Sequence, residues 1–100
     1  MMCIKKLADQ IAEEIEGARE YAICALECRI GDPDLAKTYH NLSQVEYEHA
    51  EKLHEFAMQK VEMAKSSGYS YPESMVEKWE KKHRCMIEAL KDAKVFIDMY

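Results

Sequence analysis

The stretch Ile30-Gly31-Asp32-Pro33-Asp34 separates two long runs of helical pattern and decides how they are connected. Gly31 is expected to stop the first helix, since glycine is a common residue just past a helix C-terminus. Asp32 has the side chain of an N-cap, Pro33 fits the first helical position, and Asp34 adds favourable charge to the first turn. This tight turn predicts an antiparallel hairpin of roughly 40 to 50 Å, at about 1.5 Å per residue.

A second interruption ends the second helix. The segment Ser66-Ser67-Gly68-Tyr69 breaks the helical pattern, and Ser70-Tyr71-Pro72-Glu73 has the spacing of a capping box for a third helix. No strand pattern competes with these helices. The chain is therefore predicted to be all-α, a long helical hairpin plus a third helix in one domain over residues 1–100. The expected helices cover about 4–30, 33–66 and 71–99.

The composition indicates a small cytoplasmic domain. One hundred residues with three glycines and two prolines leave little room for long loops. The net charge of −5 gives no reason to expect binding to nucleic acid or to an anionic membrane. No apolar run approaches the roughly 18 residues of a membrane span, and the first residues lack the apolar stretch of a signal peptide. We therefore expect a cytoplasmic protein with neither nucleic-acid nor membrane partners.

The cysteines do not form a familiar metal-binding pattern. A rubredoxin-type iron site or a zinc ribbon needs Cys-x-x-Cys pairs, and the chain has none. Cys24 and Cys28 lie one helical turn apart, and we interpret them as small core residues rather than as reactive thiols. The remaining two cysteines are Cys3 and Cys85.

Two ionisable residues interrupt the apolar stripe of the second helix. Glu46 and His49 stand three residues apart in the segment Val45-Glu46-Tyr47-Glu48-His49-Ala50. The other members of their stripe are Leu35, Tyr39, Leu42, Leu53 and Phe56. Such a stripe is expected to face the core, where an ionisable group needs a partner or a metal ion.

Glu14 is likewise an ionisable residue within an apolar stripe, on the first helix. The other members of its stripe are Leu7, Ile11, Ala18, Tyr21, Ala25 and Cys28. Counted from the turn, Glu14 and His49 each lie about 17 to 18 residues away, or roughly 25 Å at about 1.5 Å per residue. Glu46 lies about three residues nearer to the turn, on the same helix face as His49. The three side chains are therefore expected to converge.

Two carboxylates and one imidazole form half of the ligand set of a carboxylate-bridged di-metal site. In helical bundles of that kind, one Glu comes from each of two helices and a Glu-x-x-His from each of the other two. A Glu-x-x-His by itself is common on charged helices, where it usually marks a surface pair or a satisfied core histidine. The conjunction with Glu14 favours metal binding by Glu14, Glu46 and His49.

Two other functions remain open at this point. The chain also fits a non-enzymatic helical module for self-assembly or protein interaction, in which the two acids and the histidine form a buried hydrogen-bonded cluster. A structural metal ion without oxidation chemistry is a further alternative, because these ligand types suit several divalent ions. Stoichiometric iron, manganese or zinc in the purified protein would argue against a metal-free module.

Two segments resemble the ferritin-like superfamily, in particular rubrerythrin-type and encapsulated-ferritin-type proteins. Glu13-Glu14-Ile15-Glu16-Gly17-Ala18-Arg19-Glu20-Tyr21 resembles the first-helix pattern Glu-x-x-small-x-x-x-Tyr of that superfamily. Val45-Glu46-Tyr47-Glu48-His49-Ala50 resembles its second-helix pattern Glu-x-x-His-Ala. The resemblance covers about residues 7 to 60.

The resemblance implies a role for each of these residues. Glu14 is implied as a terminal metal ligand, Glu46 as a bridging ligand, His49 as the nitrogen ligand and Tyr21 as a nearby hydrogen-bonding residue. The implied cofactor is two iron ions, with manganese or zinc as alternatives. The implied activity is that of a ferroxidase or a rubrerythrin-like peroxide reductase. Because no rubredoxin-type segment is present, electrons for turnover are expected from another protein.

The third helix carries its own Glu80-x-x-His83 motif. Folded back from a turn near residue 69, Glu80 and His83 fall roughly 10 Å short of His49 at about 1.5 Å per residue. We interpret them as a surface acid and a partly buried histidine. A full-length ferritin-like protein supplies a second ligand-bearing helix pair, so the missing half is expected from a second copy. The prediction is a homodimer, or a multiple of dimers, that completes a four-helix bundle.

Overall fold

The computed structural model describes residues 2–66 and 73–100, and all three of its elements are helices. Helix α1 spans Met2–Cys28, α2 spans Pro33–Ser66 and α3 spans Glu73–Met99. Together they form a rod 57 Å long and 17 Å across in both other directions. The predicted all-α class is confirmed, with no strand in the described residues. Over the same residues, no helix combines the length and apolar character that a membrane crossing requires.

The link between α1 and α2 is closed by hydrogen bonds around Asp32. Its amide donates to the Cys28 carbonyl over 2.8 Å, and its carbonyl accepts from the Ala36 amide over 3.0 Å. Its carboxylate Oδ1 accepts from the Leu35 amide over 3.1 Å. A side-chain oxygen bonded to the third residue of the helix is the geometry of an N-cap, so the predicted role of Asp32 is confirmed.

The ends of the predicted helices differ slightly from those observed. Helix α1 ends at Cys28 instead of near Ile30, and the amide of Asp32 donates to the carbonyl of Cys28 just beyond it. Gly31 does not adopt a left-handed backbone, and a Cβ there would meet no atom within 4 Å. It therefore does not act as a glycine cap. The predicted start of α3 near residue 71 and most of its capping box lie outside the described residues.

Helices α1 and α2 pack through small side chains. The buried residues of α2 are Ala36, Ser43, Ala50 and Ala57. The small buried residues of α1 are Ala8, Ala18, Ala22 and Ala25. Short side chains allow two helices to approach closely, and a seven-residue spacing is that of a left-handed coiled-coil seam. Helices α1 and α2 therefore lie close enough for their short side chains to pack together.

Helix α3 lies mainly along α1 and touches α2 at fewer points. Its buried residues are Met86, Leu90, Ala93 and Ile97. Three of them, Met86, Leu90 and Ala93, join Ile11 and Ile15 of α1 in the main core. At the α1–α3 contact, Arg19 Nε lies 2.7 Å from Asp92 Oδ2, and its guanidinium lies 5.0 Å from the centre of the Phe96 ring.

The buried face of α2 is rotated relative to its predicted stripe. On α2, three of the side chains expected to face the core are exposed: Leu35 by 41%, Leu42 by 39% and Phe56 by 58%. On α1 the predicted stripe is largely confirmed, because Ile11, Ala18 and Ala25 are fully buried and Glu14 and Tyr21 are partly buried. The prediction for α2 is wrong, because the small residues of α2 occupy the hairpin contact instead. The predicted stripe of α2 therefore lies along an open edge of the hairpin.

Candidate metal centre

Glu14, Glu46 and His49 come together at this open edge. One potential ligand atom from each residue lies within 4.8 Å of those from the other two. Glu14 projects from the middle of α1, while Glu46 and His49 project from successive turns of α2. The antiparallel hairpin brings them to the same height, as the counting of residues from the turn predicts. The structure therefore brings together all three predicted ligand residues.

The cluster is partly accessible to solvent. The side chain of Glu14 is 28% exposed and that of His49 is 53% exposed. The prediction placed these groups in a bundle interior, whereas a single chain leaves them at its edge. Helix α3 instead packs against the face of α1 that carries Ile15 and Arg19. An ion bound here would retain open coordination positions.

A buried oxygen of Glu14 lacks a hydrogen-bonding partner. Glu14 Oε2 is shielded from solvent, and no hydrogen bond to it is found within the described residues. His49 Nδ1 lies 3.6 Å away, which is beyond hydrogen-bonding distance. Leaving a buried acceptor unsatisfied costs about 1 to 3 kcal/mol, and more for a charged group. A cation between Glu14 and His49 would satisfy this oxygen, so the residues fit a metal ion.

The two carboxyl groups affect one another. The pKa of Glu46 is raised above its ordinary value, because protonated Glu46 can donate a hydrogen bond to the Glu14 carboxyl that ionised Glu46 cannot, and because of partial burial and the charge of Glu14. The charge of His49 acts in the opposite direction. The apo site therefore holds a proton on Glu46 more tightly than an isolated carboxyl would. A divalent cation would replace this proton and remove the repulsion between the two acids.

Gly17 provides the space that Glu46 occupies. A Cβ atom at position 17 would come within 3.2 Å of Glu46 Oε2 and within 3.7 Å of its carboxyl carbon. A glycine inside a helix costs about 1 kcal/mol relative to alanine, so its presence needs a local reason. The approach of the Glu46 carboxylate supplies that reason. The first-helix pattern includes Gly17 as its small residue, but it does not predict the contact of Gly17 with Glu46.

The tyrosines near the cluster occupy different surroundings. Tyr21 stacks on Tyr39, with ring centres 6.0 Å apart and an angle of 28° between the rings. Tyr47 faces α3, where Lys94 Nζ lies 5.9 Å from its ring centre. Burial and the nearby charge of Glu51 raise the pKa of Tyr47, with a smaller opposing effect from Lys94. The hydrogen-bonding role implied for Tyr21 stays a prediction.

The motif on α3 does not join the cluster. Glu80 is exposed and His83 is partly buried, as the sequence indicates. His83 instead stacks on His54 of α2, with ring centres 5.0 Å apart. Sequence reasoning missed this pair, because nothing in the local pattern around His54 connects it with α3. Within the described residues, Glu14, Glu46 and His49 form the one group of three potential metal ligands.

This set of donors limits the ions that fit. Carboxylate oxygens suit hard cations such as manganese, and imidazole suits iron and zinc. Two carboxylates and one imidazole therefore fit ferrous iron, manganese or zinc. Comparisons of the chain with protein-family models, with curated proteins and with solved structures found no match. The functional assignment consequently depends on the geometry and chemistry of this cluster.

Proposed function

We propose that the protein binds two divalent metal ions, with iron as the leading candidate, in a carboxylate site shared between two subunits. The observation that carries this proposal is the cluster of Glu14, Glu46 and His49, with a buried Glu14 oxygen that has no hydrogen-bonding partner among the residues that the structure describes. The proposed activity is the oxidation of ferrous iron coupled to the reduction of oxygen or peroxide. Electrons for repeated turnover come from an external protein donor.

Each residue has a distinct task in this proposal. Glu14 binds one ion as a terminal ligand, and His49 supplies the nitrogen ligand. Glu46 would hold the metal together with Glu14, since the two carboxyl groups are in contact. When bound, iron supplies the electrons that reduce the oxidant. The carboxylates favour the higher charge of the ferric state, because anionic oxygen ligands stabilise the more highly charged ion.

A second copy of the chain completes the site. One chain provides two carboxylates and one imidazole, so two copies provide four carboxylates and two imidazoles. His49 also stands at the centre of an exposed stripe of α2 whose members are seven residues apart. The other members are Leu35, Leu42, Phe56 and Met63. A two-fold axis beside His49 would bury these apolar side chains and bring the two half-sites together.

Metal content and ferrous oxidation test the proposal directly. The protein is prepared without metal, loaded anaerobically with ferrous iron and then exposed to oxygen or peroxide. Wild type should bind about two ions per dimer and oxidise them. Glu46→Ala and His49→Ala should abolish both properties, because each removes a ligand. Glu13→Ala is the matched control, since Glu13 is an exposed acid on the same helix. Equal iron binding by Glu46→Ala and wild type would contradict the proposal.

The second candidate is a helical module for self-assembly or protein interaction, with or without a structural metal ion. The exposed apolar side chains of α2 favour this alternative, because a contiguous apolar surface usually marks an interface. The module requires no redox chemistry at the cluster. Stable oligomers without stoichiometric metal would favour it. Oligomers that hold zinc but do not oxidise iron would favour the version with a structural metal.

A further inference from the structure

His54 of α2 and His83 of α3 form a pair. Neither histidine belongs to the carboxylate cluster. Their rings are parallel to within 3°, and their centres lie 5.0 Å apart. Trp79 stacks on His83, and the centres of these two rings lie 5.6 Å apart. The chain has a single tryptophan. Two imidazoles from different helices therefore meet beside the one natural fluorescent indole.

Both histidines have a buried nitrogen without a hydrogen-bonding partner. Nε2 of His54 and Nε2 of His83 are shielded from solvent, and neither makes a hydrogen bond within the described residues. A buried nitrogen of this kind is costly unless a donor, an acceptor or a metal ion satisfies it. Imidazole nitrogen is also the commonest protein ligand for borderline transition-metal ions. The pair thus meets the chemical requirement for two metal ligands.

We propose that His54 and His83 form a second metal site, which binds nickel, copper or zinc ions through their two Nε2 atoms. Nothing in this proposal depends on the function of the carboxylate cluster. The two sites differ in chemistry, because a pair of imidazoles favours borderline ions, whereas carboxylates also accept harder ions such as manganese. No carboxylate of the described residues completes a group of three ligands with this pair, so the two imidazoles would be the protein ligands of the site.

Metal binding requires a small rearrangement of the rings. A ring nitrogen binds a metal ion in the plane of the ring, and the lone pairs of two parallel rings do not converge. At least one imidazole must therefore turn about its χ2 angle, for which histidine has broad freedom. This rotation breaks the parallel stack and changes the contact between His83 and Trp79. The binding event consequently alters the surroundings of the indole.

Quenching of Trp79 fluorescence by nickel measures binding at this pair. Nickel is the probe because it is paramagnetic and does not oxidise thiols. Wild type at pH 7.5 should show saturable quenching with one ion per chain. His54→Gln and His83→Gln should each weaken binding at least about tenfold, since loss of even an outer partner of a metal-bound histidine costs about 10- to 100-fold. His40→Gln is the matched control, because His40 also stacks on an aromatic ring and has a buried nitrogen without a partner.

Further variants separate this site from the carboxylate cluster and from misfolding. Glu46→Ala should keep the nickel-dependent quenching of Trp79, because Trp79 contacts His83 and the substitution disrupts only the cluster. Circular dichroism checks that each glutamine variant retains its helices, and the two variants lie on different helices. If His83→Gln unfolds, His54→Gln still tests the pair. Quenching that survives either glutamine substitution in a folded protein overturns the proposal, as does quenching that Glu46→Ala abolishes.

Discussion

At the scale of single residues, the chemistry depends on how closely Glu46 approaches α1. Gly17 has no side chain, and the Glu46 carboxylate fills the space that a Cβ would need. The raised pKa of Glu46 has the same origin, because this position brings its carboxyl group against that of Glu14. This position of the Glu46 carboxylate suits a metal ligand better than it suits one of two neighbouring free acids.

Gly17→Ala should weaken metal binding without destabilising the apo protein. The added methyl group forces the Glu46 carboxylate aside by a few tenths of an ångström, and that side chain is flexible enough to move. The gain in helix propensity is about 1 kcal/mol, whereas metal affinity should fall by about 10-fold or more. Thermal melts and ferrous or manganous titrations measure both effects. Gly31→Ala is the control, because a Cβ there meets nothing within 4 Å.

Glu46→Gln should make the apo protein at least as stable as wild type at neutral pH. A folded-state pKa above the unfolded one stabilises the protein at low pH, and this contribution is lost as pH rises through the folded pKa. The substitution removes the charge responsible for the loss, but it also removes the metal ligand. Melts with and without ferrous or manganous ion should therefore show no metal-induced stabilisation. A stabilisation equal to that of wild type would contradict the assigned role of Glu46.

At the scale of the helices, the small residues at the α1–α2 contact determine the position of the ligands. Ser43, Ala50 and Ala57 are fully buried, and their short side chains allow the helices to lie close together. Ala50 is adjacent in sequence to His49, so the same turn of α2 packs against α1 and presents the nitrogen ligand. The geometry of the site is therefore sensitive to packing one residue away.

Ala50→Leu should damage both stability and metal binding. A larger side chain at this fully buried position forces the helices apart, and overpacking of this kind costs about 1 to 3 kcal/mol. Separation of the helices also moves Glu14 away from His49. Urea unfolding and metal titration measure the two losses. Glu48→Leu is the matched control, since Glu48 is exposed on the same helix and should change stability by about 0.5 kcal/mol or less.

The His54–His83 contact should make stability fall in mild acid. Burial lowers the pKa of His54 below 6.5, with a further lowering by the charge of His83 and a smaller opposing effect of Glu55. The unfolded chain therefore takes up a proton first, and stability decreases as pH falls from about 6.5 towards the folded-state pKa. Urea unfolding between pH 7.5 and 5 measures this loss. His54→Gln should show a shallower decrease in stability as pH falls. An unchanged slope would contradict the assignment of this loss to His54.

At the scale of the whole molecule, the exposed edge of the hairpin should be an interface between copies. Sedimentation and light scattering at micromolar concentration should give a dimer or a multiple of dimers. Leu42→Glu and Phe56→Glu should weaken assembly, because both side chains are exposed beside the half-site. Val95→Glu on α3 should not weaken assembly, although Val95 is also an apolar residue and is 57% exposed. A compact wild-type monomer would overturn the shared site.

Local sequence determined the helices and the height of the proposed ligands. The N-cap at Asp32 is a contact between near neighbours in the chain, so its signal is complete within a few residues. The register of Glu14 against His49 follows from the turn and from the constant rise of an α-helix. Both were predictable without any knowledge of the third helix.

Tertiary packing decided which face of α2 is buried. Apolar periodicity selected the stripe that contains Leu42 and Phe56, yet α2 buries a different stripe that contains Ala50 and Ala57. Alanine and serine give a weak hydrophobic signal, and their burial follows from the close approach of another helix. The pairing of His54 with His83 also needed the structure, because whether two residues at similar height meet depends on how α3 docks against the hairpin.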